Sequence, residues 1–167
     1  PPVATGLTFC TATAADAPEM AETVGIGFDT YRAFAPPGWE PPPFAVEVAA
    51  IRSRMVGHDA WALLARDGGA SAGHIALLAD PAPGTVYLWQ LFIRPPHWGT
   101  GLADRLHEEF LEASRSRGYR RARLRTPVDQ ARSRRFYERN GWQTDGVASY
   151  EEKLGLDLLV YTRKGLT

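Results

Sequence analysis

Residues 85–94, TVYLWQLFIR, form a near-continuous apolar run between a turn at Pro81–Gly84 and the pair Pro95-Pro96. A run this rich in β-branched and aromatic residues reads as a strand, and its lack of a polar face means that both faces must be covered. It falls well short of the ~18 residues that mark a membrane span. Such a strand belongs in the middle of a layered sheet, with other strands beside it and helices over it.

The rest of the chain supplies those neighbours. LTFCTA (7–12) reads as a short strand, and Asp16 caps a helix through APEMAETVGIGF, where Pro18 is tolerated in the first turn. APPGWEPPP (35–43) must be a loop, because five prolines and a glycine hold neither helix nor central strand. FAVEVAAIRSRM forms a second helix closed by Gly57. AWALLARD (60–67) and ASAGHIALLAD (70–80) are strands joined through Asp67-Gly68-Gly69, a hairpin signal. From Gly101 the spacing turns helical: Leu102, Leu106, Phe110 and Ala113 share a stripe, Glu108, Glu109 and Glu112 lie off it, and Gly118 ends it. YRRARLRT alternates like a strand, Asp129 caps a helix through Arg139 stopped by Gly141, and WQTDGV and LDLLVYTRK are two last strands. The order β-α-α-β-β-β-α-β-α-β-β predicts an α/β fold with a mixed sheet of about seven strands. The sheet is antiparallel early and gains a parallel pair around the helix at 101–117. A length of 167 residues predicts a single domain over 1–167.

Charge and cysteine content narrow the function classes. Net charge is zero, yet residues 115–139 carry a block of arginines against only Asp129 and Glu138. Such a block suits a phosphorylated ligand, whereas zero net charge and the lack of a recognisable motif weigh against nucleic acid. Cys10, the single cysteine, excludes an internal disulfide and a cysteine-based metal site, so no metal is expected. With no apolar leader and no spanning run, the expectation is a cytoplasmic protein without a membrane partner.

The stretch RPPHWGTGLADRL (94–106) places Gly99 and Gly101 between a strand and a helix. Glycines there bare the unpaired N–H groups of a helix N-terminus to an anion. It is neither a Walker loop, since no Lys-Ser/Thr pair follows, nor a dinucleotide fingerprint, since Ala103–Arg105 lack the third glycine.

The longer segment LFIRPPHWGTGLADRLHEEF resembles the cofactor-binding segment of the GNAT superfamily of N-acetyltransferases. In that family Gln/Arg-x-x-Gly-x-Gly/Ala heads the helix; the six places are Trp98, Gly99, Thr100, Gly101, Leu102 and Ala103. RLRTPVDQARSRRFYERNGW is similar to the family's closing strand, loop and helix ending in Phe-Tyr-Glu-x-x-Gly-Phe/Trp, and the two motifs with their element order span residues 7–163. Trp98 stands where the family usually has Gln or Arg, so it is expected to pack and fix the turn without a polar contact to phosphate. Gln130 stands where an asparagine is common.

The resemblance implies acetyl-CoA as cosubstrate and a sheet whose central parallel pair splays. The pyrophosphate would meet the amides of Gly99 to Asp104, and the pantetheine arm would pair with the backbone of Leu91, Phe92 and Ile93. Gln130, Ser133, Phe136 and Tyr137 would complete the cofactor side, with Arg105, Arg132 and Arg135 as candidates for the 3′-phosphate. A backbone N–H near Phe92 is the expected oxyanion donor and Tyr137 the acid for the leaving thiolate. For the base, His74 has a suitable intrinsic pKa; Glu40, Glu151 and Glu152 are alternatives, and Gln90 cannot serve. Tyr31, Phe34, Trp39, Trp89 and Tyr150 are expected around the acceptor, a small-molecule primary amine. A non-catalytic acyl-CoA sensor and a protein N-terminal or lysine acetyltransferase are the rival readings. A monomer or homodimer is expected.

Overall fold

The computed structural model describes residues 6–166; residues 1–5 and 167 of the expected domain lie outside it. In chain order the elements are β1 (Leu7–Thr11), α1 (Ala17–Asp29), α2 (Phe44–Arg54), β2 (Ala60–Asp67), β3 (Ala70–Ala79) and β4 (Thr85–Ile93). They continue with α3 (Leu102–Ser116), β5 (Arg121–Pro127), α4 (Ala131–Arg139), β6 (Gln143–Glu151) and β7 (Leu156–Arg163). This is the predicted order, and the strands form one seven-stranded sheet, β1-β2-β3-β4-β5-β7-β6, with β4 at its centre. The hairpin at Gly68 and Gly69 has φ of 57° and 91°, the left-handed pair that a two-residue loop requires.

Some boundaries differ from expectation, two of them in ways that touch the core or the site. β6 runs on to Glu151, and Trp142 precedes it as a buried core residue. Gln130, not Asp129, holds the N-cap position of α4, without a side-chain cap bond.

The feature that shapes the site is the parallel seam. β4 and β5 pair only at Thr85↔Arg121, Val86↔Ala122 and Tyr87↔Arg123. Beyond Tyr87, β4 stays with β3 and β5 stays with β7, so their facing edges diverge into a wedge. A bulge helps to turn β4: Leu77 faces Leu88 but Ala76 faces Gln90, which leaves Trp89 as the extra residue.

Both faces of the sheet are covered, as the apolar run demanded. On one face the α3 stripe packs Leu102, Leu106 and Phe110 against Val86, Leu88 and Leu124. Each such side chain, fully buried, contributes about 1.5–3 kcal/mol. On the other face Met20 of α1 and Ile51 of α2 meet Leu64 and Ala76. A third cluster joins Tyr31, Leu156 and Leu158, with Trp39 of the proline-rich loop packed on it. The Trp39 indole N–H donates to the Leu154 carbonyl at 2.7 Å, and Arg32 ties the loop from below through the Trp39 carbonyl (3.2 Å) and Glu40 (2.8 Å).

Candidate active site

The wedge between β4 and β5 opens into a cleft of about 540 Å³. Leu91, Phe92 and Ile93 of β4 form one wall, and Gln130, Ser133, Phe136 and Tyr137 around α4 form the facing wall. Between them lies the turn into α3, where Gly99 and Gly101 adopt left-handed φ of 73° and 86°. Nothing lies within 4 Å of where a Gly99 side chain would begin, so glycine there serves the φ angle and leaves the backbone open to the cleft. The first helical bond runs from the Arg105 N–H to the Gly101 carbonyl at 3.1 Å. Among the described residues the N–H groups of Gly99 to Asp104 find no acceptor. They crowd at the positive end of a fifteen-residue helix, an arrangement that favours an anion. The one carboxylate in that first turn, Asp104, is held by Arg139 at 3.1 Å.

Trp98 behaves as a fastener. Its indole N–H donates to the Ile93 carbonyl at 2.7 Å, and the Arg132 guanidinium lies 4.0 Å from its ring centre. The Thr100 hydroxyl donates to the His97 carbonyl at 2.6 Å. Strand end, turn and α4 are thereby linked through one aromatic side chain, whose polar group is spent on backbone.

Strand alternation decides which β4 amides face the wedge. The Arg94 N–H donates across to the Ala72 carbonyl of the β3 side at 2.8 Å, and the Phe92 carbonyl oxygen would stand 2.7 Å from a Gly73 Cβ. Successive residues in a strand point their amides to opposite sides, so Phe92 turns its N–H toward β3 and Leu91 and Ile93 turn theirs to the opening. Of the amides near Phe92, those of Leu91 and Ile93 therefore face the wedge, whereas that of Phe92 itself does not. Phe92 contributes its ring instead, packed against Gly27 and edge-on to Phe28.

A second cleft, of about 440 Å³, borders the first; Tyr31 and Phe92 line both. Its walls include Trp89 and Gln90 of β4 and, from α2, Glu47 and Arg54. Opposite stand Arg123, paired with Asp80 at 2.7 Å, and Arg125, paired with Glu151 at 2.8 Å. A chemical group reaching inward from either cleft meets the other at Phe92.

Titratable side chains here differ by environment. Tyr137 is buried, its ring edge-on to Phe136 and Trp142 at 5.4 and 5.9 Å between centres. Its hydroxyl has no hydrogen-bond partner among the described residues, and burial holds the phenol well above its ordinary range. It is thus a protonated, uncommitted donor on the first cleft. Glu47 has no ionic partner among the described residues, and burial pushes its carboxyl up. Glu40, by contrast, is exposed and held down by Arg32. Glu151 is held down by the Lys153 amide and by Arg125. Glu152 is exposed and lines neither cleft. His74 is buried behind Gln90, donating from Nε2 to Gln90 Oε1 at 2.8 Å, and desolvation drives its pKa down to about 4. The imidazole reaches neither cleft, so the base must be sought elsewhere.

Other expected residues divide as follows. Arg132 and Arg135 line the first cleft, whereas Arg105 turns away onto Glu109 (3.1 Å) and the Phe9 ring. Phe34 borders the first cleft rather than the second, and Trp89 borders the second. Trp39 is a structural tether, and Tyr150 is exposed beyond both clefts. Neither Glu47 as a base nor Arg139 as a residue of the first cleft was expected from the sequence. The spacing of Glu47, Ala50 and Arg54 puts them on one helix face, but only the tertiary packing turns that face to a cleft.

Residues 27–142 match the model of the Acetyltransferase (GNAT) family. No curated protein matches the chain. Among solved structures, PaiA N-acetyltransferase from Thermoplasma acidophilum in complex with coenzyme A is 16% identical, with 95% of this chain and 98% of that one covered and a TM-score of 0.69. YncA from Salmonella typhimurium with its cofactor acetyl-CoA is 17% identical, covering 96% and 94%, with a TM-score of 0.71. An acetyltransferase from Thermus thermophilus is 23% identical, covering 95% and 96%, with a TM-score of 0.70. At these identities the likeness is one of fold.

Proposed function

Because the chain belongs to the GNAT acetyltransferase family, we propose that it transfers the acetyl group of acetyl-CoA to the primary amine of a small molecule. The observation that carries this reading is the row of unpartnered amides from Gly99 to Asp104, opening on the same cleft as the unpartnered Tyr137 hydroxyl. The fit to acetyl-CoA is chemical: bare amides at a helix N-terminus suit a pyrophosphate, Arg132, Arg135 and Arg139 suit a further phosphate, and the free edge of β4 suits an extended amide-bearing arm. Acetyl-CoA supplies the thioester.

The chain's residues then divide the work of direct transfer. The Leu91 N–H, facing the wedge, stabilises negative charge on the carbonyl oxygen. Glu47 accepts the proton that the amine sheds, through water if the distance requires, since it is the carboxylate of the second cleft left without a cation. As the carbon–nitrogen bond forms and the carbon–sulfur bond breaks, Tyr137 gives its proton to the departing thiolate. Gln90 acts beside these groups as a polar wall held in place by His74.

Release of CoA thiol from acetyl-CoA, followed across a panel of primary amines, tests the reading. Turnover with at least one amine is expected. Firm CoA binding with no turnover on any amine would instead favour a sensor.

A further inference from the structure

Arg54, Arg123 and Arg125 line the second cleft beside two of its aromatic residues, Tyr87 and Trp89. The Arg123 guanidinium carbon lies 5.0 Å from the Tyr87 ring centre and that of Arg54 lies 6.0 Å from the Trp89 ring centre. The Arg125 Nε donates to the Tyr87 hydroxyl at 3.3 Å. Tyr87 is the last β4 residue paired with β5, and Leu91 is four residues further along a strand bulged at Trp89, roughly 10–13 Å. The guanidinium groups therefore stand apart from the place assigned to the acetyl carbonyl.

The acids of the cleft do not balance them. Asp80 engages Arg123 through Nε at 2.7 Å, and Glu151 engages Arg125 through one terminal nitrogen at 2.8 Å. Each guanidinium keeps uncommitted N–H groups, since it carries several donors in a fixed fork. Arg54 and Lys153, also on this cleft, have no ionic partner among the described residues. Glu47 lies on the same α2 face seven residues before Arg54, roughly 10 Å along the helix. The cleft thus holds a lone carboxylate for an amine and, separated from it, an excess of positive charge over aromatic faces.

We infer that the acceptor carries an anionic group, a carboxylate or phosphonate, spaced from its amine and held by Arg54 and Lys153 beside Arg123 and Arg125. This assignment rests on the acetyltransferase reading above. Basic peptides and polyamines are disfavoured, because their second cation would meet the arginine end. A neutral alkylamine would leave that end unmatched.

Three acceptors of equal length test the assignment: aminohexanoate, hexylamine and diaminohexane, which differ only in the terminal carboxylate, methyl or ammonium. At low salt, kcat/KM is expected to be at least about tenfold higher for aminohexanoate than for hexylamine, since only the carboxylate can accept charge-assisted bonds from these cations. Diaminohexane should be poorest. The preference should collapse in Arg54→Gln or Lys153→Gln, both exposed positions. Calorimetric binding of the N-acetylated aminohexanoate and hexylamine, with CoA present, reads the same preference without turnover. Equal or better binding and turnover of hexylamine or diaminohexane would overturn the inference, as would a preference untouched by either variant. Carboxylate-selective binding without transfer would overturn the enzyme reading and leave the anion site standing.

Discussion

Acidification should loosen this protein, because two buried imidazoles resist protonation. Desolvation drives both His74 and His107 down to about 4 from an ordinary 6.5. At His107 the geometry agrees, since its Nε2 accepts the Trp142 indole N–H at 3.0 Å and a proton there would set two donors face to face. His74, already donating to Gln90, would place a charge beside Arg94. The sign follows from proton counts. Below pH 6.5 the unfolded chain binds a proton at each histidine and the folded one does not, so stability falls as pH falls from 6.5 toward 4. At pH 5 the loss relative to pH 7.5 is about 2 kcal/mol per histidine, about 4 kcal/mol together. Urea denaturation at pH 7.5, 6 and 5 measures it. His107→Gln keeps an acceptor for Trp142 and should remove about half of the slope. A stability change below about 1 kcal/mol over this range, or an unchanged slope in His107→Gln, would refute the reasoning.

Three further substitutions probe the site. Glu47→Gln should lower kcat/KM by about 10²-fold and abolish the acidic limb of its pH profile, which in the parent lies above the ordinary carboxylate range because burial raises the carboxyl; a retained limb in steady-state kinetics would assign the base elsewhere. Trp98→Phe keeps a ring beneath Arg132 but loses the bond to the Ile93 carbonyl, so a stability loss of about 1 kcal/mol and weaker acetyl-CoA binding are expected by melting and calorimetry. Gly27→Ala would set a Cβ 2.7 Å from Phe92 Cε1 and push that ring toward the clefts; a cost of about 1–3 kcal/mol and a fall in kcat/KM are expected.

The architecture was legible because local signals agreed with one another. The apolar run at 85–94 became the central strand, Gly68-Gly69 joined β2 to β3 as a hairpin, and the Leu102–Leu106–Phe110 stripe packed as read. The glycine turn at Gly99–Gly101 was equally local. What escaped depends on pairing. The bulge at Trp89 and the register at Arg94 decide that Leu91 rather than Phe92 faces the wedge, and no residue type announces either. Arg105 and Arg132 read alike in sequence, yet helix rotation sends one to Phe9 and the other to Trp98. His74 looked like a base by intrinsic pKa, but its burial behind Gln90 is a tertiary fact. Glu47 emerged only when the other carboxylates were found engaged or away from the clefts. Trp98, which departs from the family pattern, does pack without offering a polar group to the cleft.

The central claim is that the cleft holding the bare amides is a catalytic centre in which Tyr137 is the proton donor. Its most direct test compares kcat for CoA release, with an accepted amine, and acetyl-CoA affinity in the parent and in Tyr137→Phe. A kcat reduced by about 10² or more with affinity held within about twofold is expected. Full turnover by Tyr137→Phe, or a parent protein that binds acetyl-CoA and transfers nothing, would contradict it.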